Sequence, residues 1–248
     1  MESTWIEVAG HALHYRVPRE QVAPDHPVIV MVHGLGVSSR YMIPTAEQLA
    51  SSYHVYLPDL PGFGESEKPD HYQDLDEMAD TLAAWMRTSR LSPAVLLGNS
   101  LGCQIIAHFA LRHPHQLRAA ILLGPTMDKR ARTAHQEIGR WLVNGAFEPF
   151  SLYPLVVRDF LDVGVRRLVA TFHYGLQDTI EVYLPQIAVP TLVIRGSRDT
   201  VVPQDWAEYV TSLLPQGKLV VLDQAAHNVN YNSPTQLVKS IRAFLKEL

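Results

Sequence analysis

Residues 94–103 read Ala94-Val95-Leu96-Leu97-Gly98-Asn99-Ser100-Leu101-Gly102-Cys103. Ala94 to Leu97 is a short apolar run of the kind a fully buried strand carries. Leu101 to Arg112 follows with a helical pattern. Between them lies Gly-x-Ser-x-Gly. A serine between strand and helix sits on a sharp turn that lifts its hydroxyl above the end of a sheet. Side chains at positions 98 and 102 would collide with neighbouring elements, so both positions are glycine. The amide of Leu101, at the helix start, points where an oxyanion would form.

Outward from this unit, strands and helices alternate. Trp5–Val8 and Ala12–Val17 flank Ala9-Gly10 as a hairpin. Pro18–Pro27 reads as a polar connector. Val28–Val32 is a β-branched run ending in His33-Gly34-Leu35-Gly36, and helix signals run from about Arg40 to Ser52. Tyr53–Leu57 is a strand and Leu75–Ser89 an amphipathic helix, with Leu75, Met78 and Leu82 on one stripe. Ala119–Leu123, Thr191–Ile194 and Leu219–Leu222 are further strands. Pro203–Leu214 and a final segment from Ser233-Pro234 to Leu248 are helices, with Pro234 at a first turn. This alternation predicts an α/β fold, a mostly parallel twisted sheet with right-handed crossovers and flanking helices.

The alternation stops at Gly124-Pro125. From about 126 to 187 there is no β-branched strand run, only helical pieces broken at Gly139, Gly145, Pro149, Pro154, Gly164 and Gly175. We therefore expect a core domain of residues 1–125 and 188–248 and a helical lid of 126–187 inserted between two strands. The lid should cover Ser100, with Trp141, Phe147, Phe150, Tyr153 and Phe172 as candidate pocket residues, since ligand sites favour such junctions. Arg166-Arg167 reads as a solvated face.

Composition narrows the function classes. The 248 residues can build one large core. A hydrophobic content of 47% and a charged content of 19% are ordinary for a soluble globular chain. A net charge of -4 gives no reason to expect nucleic acid or an anionic membrane as partner. The single cysteine, Cys103, allows no intrachain disulfide, and no basic and apolar leader opens the chain. The expected location is cytoplasmic. His11, His14, His113 and His115 lack a Glu or Cys that would complete a ligand set, so no metal and no cofactor is expected. Asp59-Leu60-Pro61-Gly62-Phe63-Gly64 lacks the third glycine of a dinucleotide loop.

Ser100, Asp199 and His227 each follow a predicted strand, at the edge where catalytic groups collect in open α/β sheets. Serine is a weak nucleophile until a base takes its proton. Histidine titrates near neutrality, so His227 can take that proton and return it to a leaving group. A carboxylate behind the imidazole fixes its tautomer and stabilises the imidazolium, the role expected of Asp199. The amide of Leu35, directly after His33-Gly34, is the expected second oxyanion donor beside that of Leu101. Cys103 reads as a small buried hydrophobe.

Together these stretches resemble the α/β-hydrolase fold enzymes with a lid domain. The resemblance rests on His33-Gly34-Leu35-Gly36, Asp59-x-Pro-Gly-x-Gly-x-Ser66, Gly98-Asn99-Ser100-Leu101-Gly102, Gly196-x-x-Asp199 and Ala226-His227, in the order Ser, Asp, His. It implies that His33 and the Asp59–Ser66 loop shape the site without doing chemistry. Asp128 rivals Asp199 as the acid, because some members of this fold place it after the strand corresponding to Ala119–Leu123. Asp199 is preferred because it matches the family loop. The elbow is similar to that of serine hydrolases that cleave carbon–carbon bonds in ring-fission products. Those enzymes usually carry His-Gly-x-Gly-Pro-Gly and a Trp after the histidine, where this chain has Val37-Ser38 and Asn228.

The resemblance thus implies a serine carboxylesterase acting through an acyl-enzyme on Ser100, its substrate a neutral small-molecule ester. The alternatives are a C–C bond hydrolase acting on ring-fission diketones and an inactive hydrolase-fold protein that binds a small ligand. Lid acids Asp128, Glu137, Asp159 and Asp162 are expected to pair with the lid's basic residues on the surface. The sequence leaves the oligomeric state open.

Overall fold

The computed structural model describes every residue except 21, 24 and 25, so the predicted connector at 18–27 lies partly outside the described residues. The chain opens with β1 (Glu2–Val8) and β2 (His11–Val17), an antiparallel hairpin around Ala9-Gly10. Then come β3 (Val28–Val32), α1 (Ile43–Leu49), β4 (His54–Pro58), α2 (Leu75–Thr88) and β5 (Ala94–Asn99). After α3 (Leu101–Arg112) and β6 (Leu117–Leu123), four helices follow without a strand. They are α4 (Ala134–Gly145), α5 (Tyr153–Val163), α6 (Val165–Gln177) and the single turn α7 (Ile180–Tyr183). The sheet resumes with β7 (Thr191–Gly196), α8 (Gln204–Leu213) and β8 (Gly217–Leu222), and the chain closes with α9 (Val229–Asn232) and α10 (Pro234–Leu245).

Among the described residues the strands form one eight-stranded sheet in the order β1-β2-β4-β3-β5-β6-β7-β8. Neighbours from β4 through β8 run parallel, while β1 and β2 are antiparallel additions at one edge. From β3 the chain first steps outward to β4 and then returns to place β5 on the other side of β3. The strand order thus reverses between β3 and β5, and a crevice opens beyond their carboxyl ends. Ser100 and the Gly34-Leu35 loop stand there.

Alternation along the strands divides the core. Val30, Val32, Leu96, Ala120, Leu122 and Val193 face α2, α3 and α8, whose Met78, Leu82, Trp85, Phe109, Trp206 and Val210 complete that layer. Ile29, Met31, Val95, Leu97, Ile121 and Ile194 point the other way, onto Ala46 and Leu49 of α1 and Leu237, Ile241 and Phe244 of α10. The central strands are buried on both faces, which is why they read as unbroken apolar runs.

Several local expectations change. The helix expected from Arg40 to Ser52 is a 3-10 turn, Ser39–Met42, followed by the shorter α1, because Pro44 restarts the helix in its first turn. Gly139, Pro154 and Gly175 do not break helices. Gly139 lies inside α4, Pro154 occupies the first turn of α5, and Gly175 lies inside α6. A Cβ on Gly175 would fall 2.8 Å from Leu101 Cδ1, so glycine there permits close packing of α6 on the start of α3. Arg166 is exposed, but Arg167 is not on a solvated face. It is buried, donates to the carbonyl oxygens of Pro69 and His71, and lies over the Tyr72 ring. No helix among the described residues is long and apolar enough to cross a membrane.

Candidate active site

Ser100 links β5 to α3 with φ 56° and ψ −119°. That left-handed backbone in a residue with a Cβ stores about 1–3 kcal/mol of strain. The neighbouring glycines permit the turn. A Cβ on Gly98 would sit 2.5 Å from the Gly102 carbonyl oxygen, and one on Gly102 would sit 2.6 Å from that of Val32. The Ser100 amide donates to the Leu123 carbonyl at 2.9 Å, which fastens the turn to β6.

Asp199 lies in the loop after β7. Its Oδ1 accepts hydrogen bonds from the amides of Val201 and Val202 at 2.8 and 2.9 Å. Arg195 braces the loop through the carbonyls of Asp199 and Val202. The remaining oxygen, Oδ2, is 2.8 Å from Nδ1 of His227, and both side chains are buried. Burial works against a charged imidazole, but the charge and hydrogen bond of Asp199 outweigh it and hold His227 above its usual value. Gly124 closes one side of this pair, since a Cβ there would fall 2.9 Å from Nδ1 of His227 and 3.2 Å from Oδ2 of Asp199. Asp128 is occupied elsewhere, with Arg130 at 3.1 Å and both terminal nitrogens of Arg140 at 3.1 Å.

The loop after β3 lies against the serine. A Cβ on Gly34 would come 3.3 Å from Cβ of Ser100. The Gly34 amide donates to Tyr41 Oη at 2.9 Å, and Tyr41 donates in turn to Asn99 Oδ1 at 2.8 Å. Asn99 then reaches the carbonyls of Leu123 and His227. His33 Nδ1 donates to its neighbour Gly34 O at 2.9 Å, leaving Nε2 to accept from the Leu60 amide at 3.1 Å. Burial holds His33 below its usual value, so it stays neutral in that arrangement. Cys103 is fully buried, with Sγ 3.2 Å from the Gly98 carbonyl.

A cavity of about 310 Å³ joins Ser100, His227, Leu35 and Leu101 to the helical segment. Leu101 is the first residue of α3, where an amide has no acceptor within its own helix. Three of the segment's four helices each contribute one stripe of residues to the cavity: Glu137, Ile138 and Trp141 from α4, Val156 and Phe160 from α5, and Leu168, Val169 and Phe172 from α6. Of the aromatics expected there, Trp141 and Phe172 line it. Phe147, Phe150 and Tyr153 do not. Phe147 and Phe150 lie in the connection between α4 and α5, and Phe150 is 91% exposed. Tyr153 turns its hydroxyl to the Gly145 carbonyl at 2.7 Å. The stripe facing the sheet, including aliphatic Ile138, Val156, Leu168 and Val169, decides the lining, and aromatic content alone does not mark that stripe.

The acids of residues 126–187 also depart in part from expectation, although Asp128 does pair with Arg130 and Arg140 of the segment. Asp128, Glu137 and Asp159 are buried rather than on the surface. Asp159 accepts from the amide and hydroxyl of Ser38 and from Arg40, and Asp162 meets Lys68, so these two pair with residues outside the segment. A further contact carried no signal in the sequence. Asn144 Oδ1 accepts from the His227 amide at 3.1 Å, and Glu148 Oε1 accepts from the amide and side chain of Asn228 at 2.9 Å each.

The fold has known counterparts. The α/β hydrolase fold family matches residues 27–182, and a TAP-like protein family matches 170–248. A pimeloyl-[acyl-carrier protein] methyl ester esterase from Chromobacterium violaceum is 26% identical over 246 residues, an alignment covering 89% of this chain and 94% of that protein. Among solved structures, a membrane phospholipase A superposes with a TM-score of 0.84 at 24% identity, covering 99% of this chain and 86% of its own. A thermophilic esterase from Thermogutta terrifontis superposes at 0.80 with 21% identity, covering 100% and 99% of the two chains. At these identities the two structures speak for the fold alone. The sheet order, the strained serine turn at the switch point and the family match over 27–182 lead to one conclusion: this chain belongs to the α/β hydrolase fold family.

Proposed function

We propose that the protein is a serine hydrolase that cleaves neutral carboxylic esters. The observation that carries this reading is the buried Asp199–His227 pair, 2.8 Å apart, whose His227 lines the same cavity as Ser100. Ser100 Oγ attacks the ester carbonyl while His227 takes its proton. The amides of Leu35 and Leu101 stabilise the oxyanion. The imidazolium, steadied by Asp199, protonates the departing alkoxide, and the alcohol leaves an acyl-enzyme on Ser100. Water activated by His227 then releases the acid. Residues 126–187 act as a lid whose helices supply the pocket for the acyl chain or the alcohol. The esterase relative from Chromobacterium violaceum supports ester cleavage as the reaction class.

The cavity wall supports a neutral substrate over an anionic ring-fission diketone. No lysine or arginine lines it among the described residues, although the segment around it carries seven. One set of assays tests the whole reading. A fluorophosphonate probe should label Ser100, and Ser100→Ala should lower kcat on p-nitrophenyl esters by about 10³-fold or more with the fold intact. Near wild-type turnover by Ser100→Ala would remove the serine mechanism. A kcat/KM for a ring-fission diketone about 100-fold above the best ester would favour the C–C hydrolase instead. Absence of any adduct on folded protein would favour a binding module.

A further inference from the structure

Glu137 has no part in the chemistry above, yet it lines the same cavity and is 4% exposed. It stands in the first turn of α4. Its Oε1 is buried and has no hydrogen-bond partner among the described residues. The nearest cation does not satisfy it. Arg140 Nη1 stays 3.9 Å away, and both of that arginine's terminal nitrogens donate to Asp128 at 3.1 Å. A second polar atom in the wall is in the same condition. Thr126 Oγ1 is buried, lines the cavity and has no partner among the described residues. The rest of the wall is mostly hydrocarbon. Burial is the largest influence on the Glu137 carboxyl, and Asp128 and Asp199 reinforce it against Arg140 and His227. The group is pushed up to about 7.

A buried polar atom left without a partner is unfavourable, and two in one ligand cavity point to partners brought by the ligand. A wall meant only for an alkyl chain would be better lined by leucine or methionine at both places. We infer that Glu137 and Thr126 form a polar subsite that selects substrates bearing a hydroxyl or N–H group over their hydrocarbon isosteres. Glu137 accepts the hydrogen bond from that group, and Thr126 donates to or accepts from it. Selection of this kind is steep, because the unsubstituted analogue leaves the buried polar atoms unpaired while the correct substrate pairs them. The inference deepens the esterase reading and rests on it for its kinetic test only.

The test uses methyl 3-hydroxyhexanoate and methyl 6-hydroxyhexanoate. Each is assayed beside the isostere with methyl in place of hydroxyl, methyl 3-methylhexanoate and methyl heptanoate. Wild type should favour at least one hydroxy ester by about 10-fold in kcat/KM. Glu137→Met should abolish that preference, lowering kcat/KM for the hydroxy ester by about 10-fold relative to its hydrocarbon isostere. Glu137→Gln, which keeps an acceptor oxygen, should retain part of it, and Thr126→Val should reduce it. No preference in wild type, a preference that survives Glu137→Met, or an equal loss on both members of a pair would each overturn the inference. Equilibrium binding of the same esters to Ser100→Ala, compared with Ser100→Ala/Glu137→Met, decides the question independently of turnover. If wild type hydrolyses none of the esters, the esterase reading fails. The ratio of dissociation constants then still supports or rejects the polar subsite.

Discussion

His227 feels two opposed influences whose balance can be measured. Burial favours the neutral ring, while the charge and hydrogen bond of Asp199 favour the imidazolium and prevail. Only the neutral ring can take the serine proton, so activity must rise with pH as His227 loses its own proton. The rising limb of kcat/KM should therefore lie above 6.5, the ordinary histidine value. Asp199→Asn removes the largest of the raising influences and leaves burial opposed only by the more remote charges of Glu148 and Glu137. The variant's limb should move down from the wild-type position, with kcat lower by about 10³-fold or more. A limb that stays in place in Asp199→Asn would separate Asp199 from the titrating group. Ser100, Asp199 and His227 were readable from sequence because each sits beside local punctuation that follows a strand. Glu137, Asn144 and Glu148 were not, because their importance depends on which side of α4, and of the turn that follows it, meets the sheet edge. Phe147 and Phe150 show the converse, since apolar character did not bring them into the cavity.

At the scale of elements, the end of α4 and the loop before α9 act as one piece. Glu148 gathers Asn144 Nδ2, the Asn228 amide and side chain, and Asn232 Nδ2, each at 2.9 Å. Asn144 presents its own oxygen to the His227 amide. Glu148→Ala would leave these donors unpaired and loosen the loop that positions the imidazole. We expect a fall in kcat of about 10-fold with little change in KM, and partial recovery in Glu148→Gln, which keeps one acceptor oxygen. A change confined to KM would mean that the contact serves only to enclose substrate. The sheet elements were legible because their apolar runs and flanking glycines are properties of a few adjacent residues. The helices of 126–187 were legible as helices but not in their extents. Gly139, Pro154 and Gly175 are breakers by composition, yet each sits where a helix tolerates it, in an interior, a first turn and a close contact.

Across the whole molecule, Asp59 joins distant stretches of chain. Its carboxylate is fully buried and accepts from His14 on β2 at 2.8 Å, the Ser39 amide at 2.7 Å and the Glu65 amide at 3.0 Å. Burial pushes this carboxyl up, but the His14 hydrogen bond, the nearby His33 and the two amides together bring it down to about 2. The folded value lies below the ordinary 3.8. The resulting stabilisation is complete above the unfolded value and is lost as pH falls from there through about 2. It should amount to about 2 kcal/mol. Denaturant titrations between pH 5 and 2 should show wild type losing that much more stability than Asp59→Asn, and equal losses would remove Asp59 from the acid response. Whole-molecule scale also sets an order of events. The bonds from Asn144 of α4 and from Glu148 just after it to residues 227, 228 and 232 mean that a segment swinging clear of the sheet would take the acceptors of the histidine loop with it. The open molecule would be unready and the ready molecule closed. If 126–187 is the lid proposed above, reagents would then enter past a half-exposed edge such as that of Trp141, through a side door in a roof that stays on.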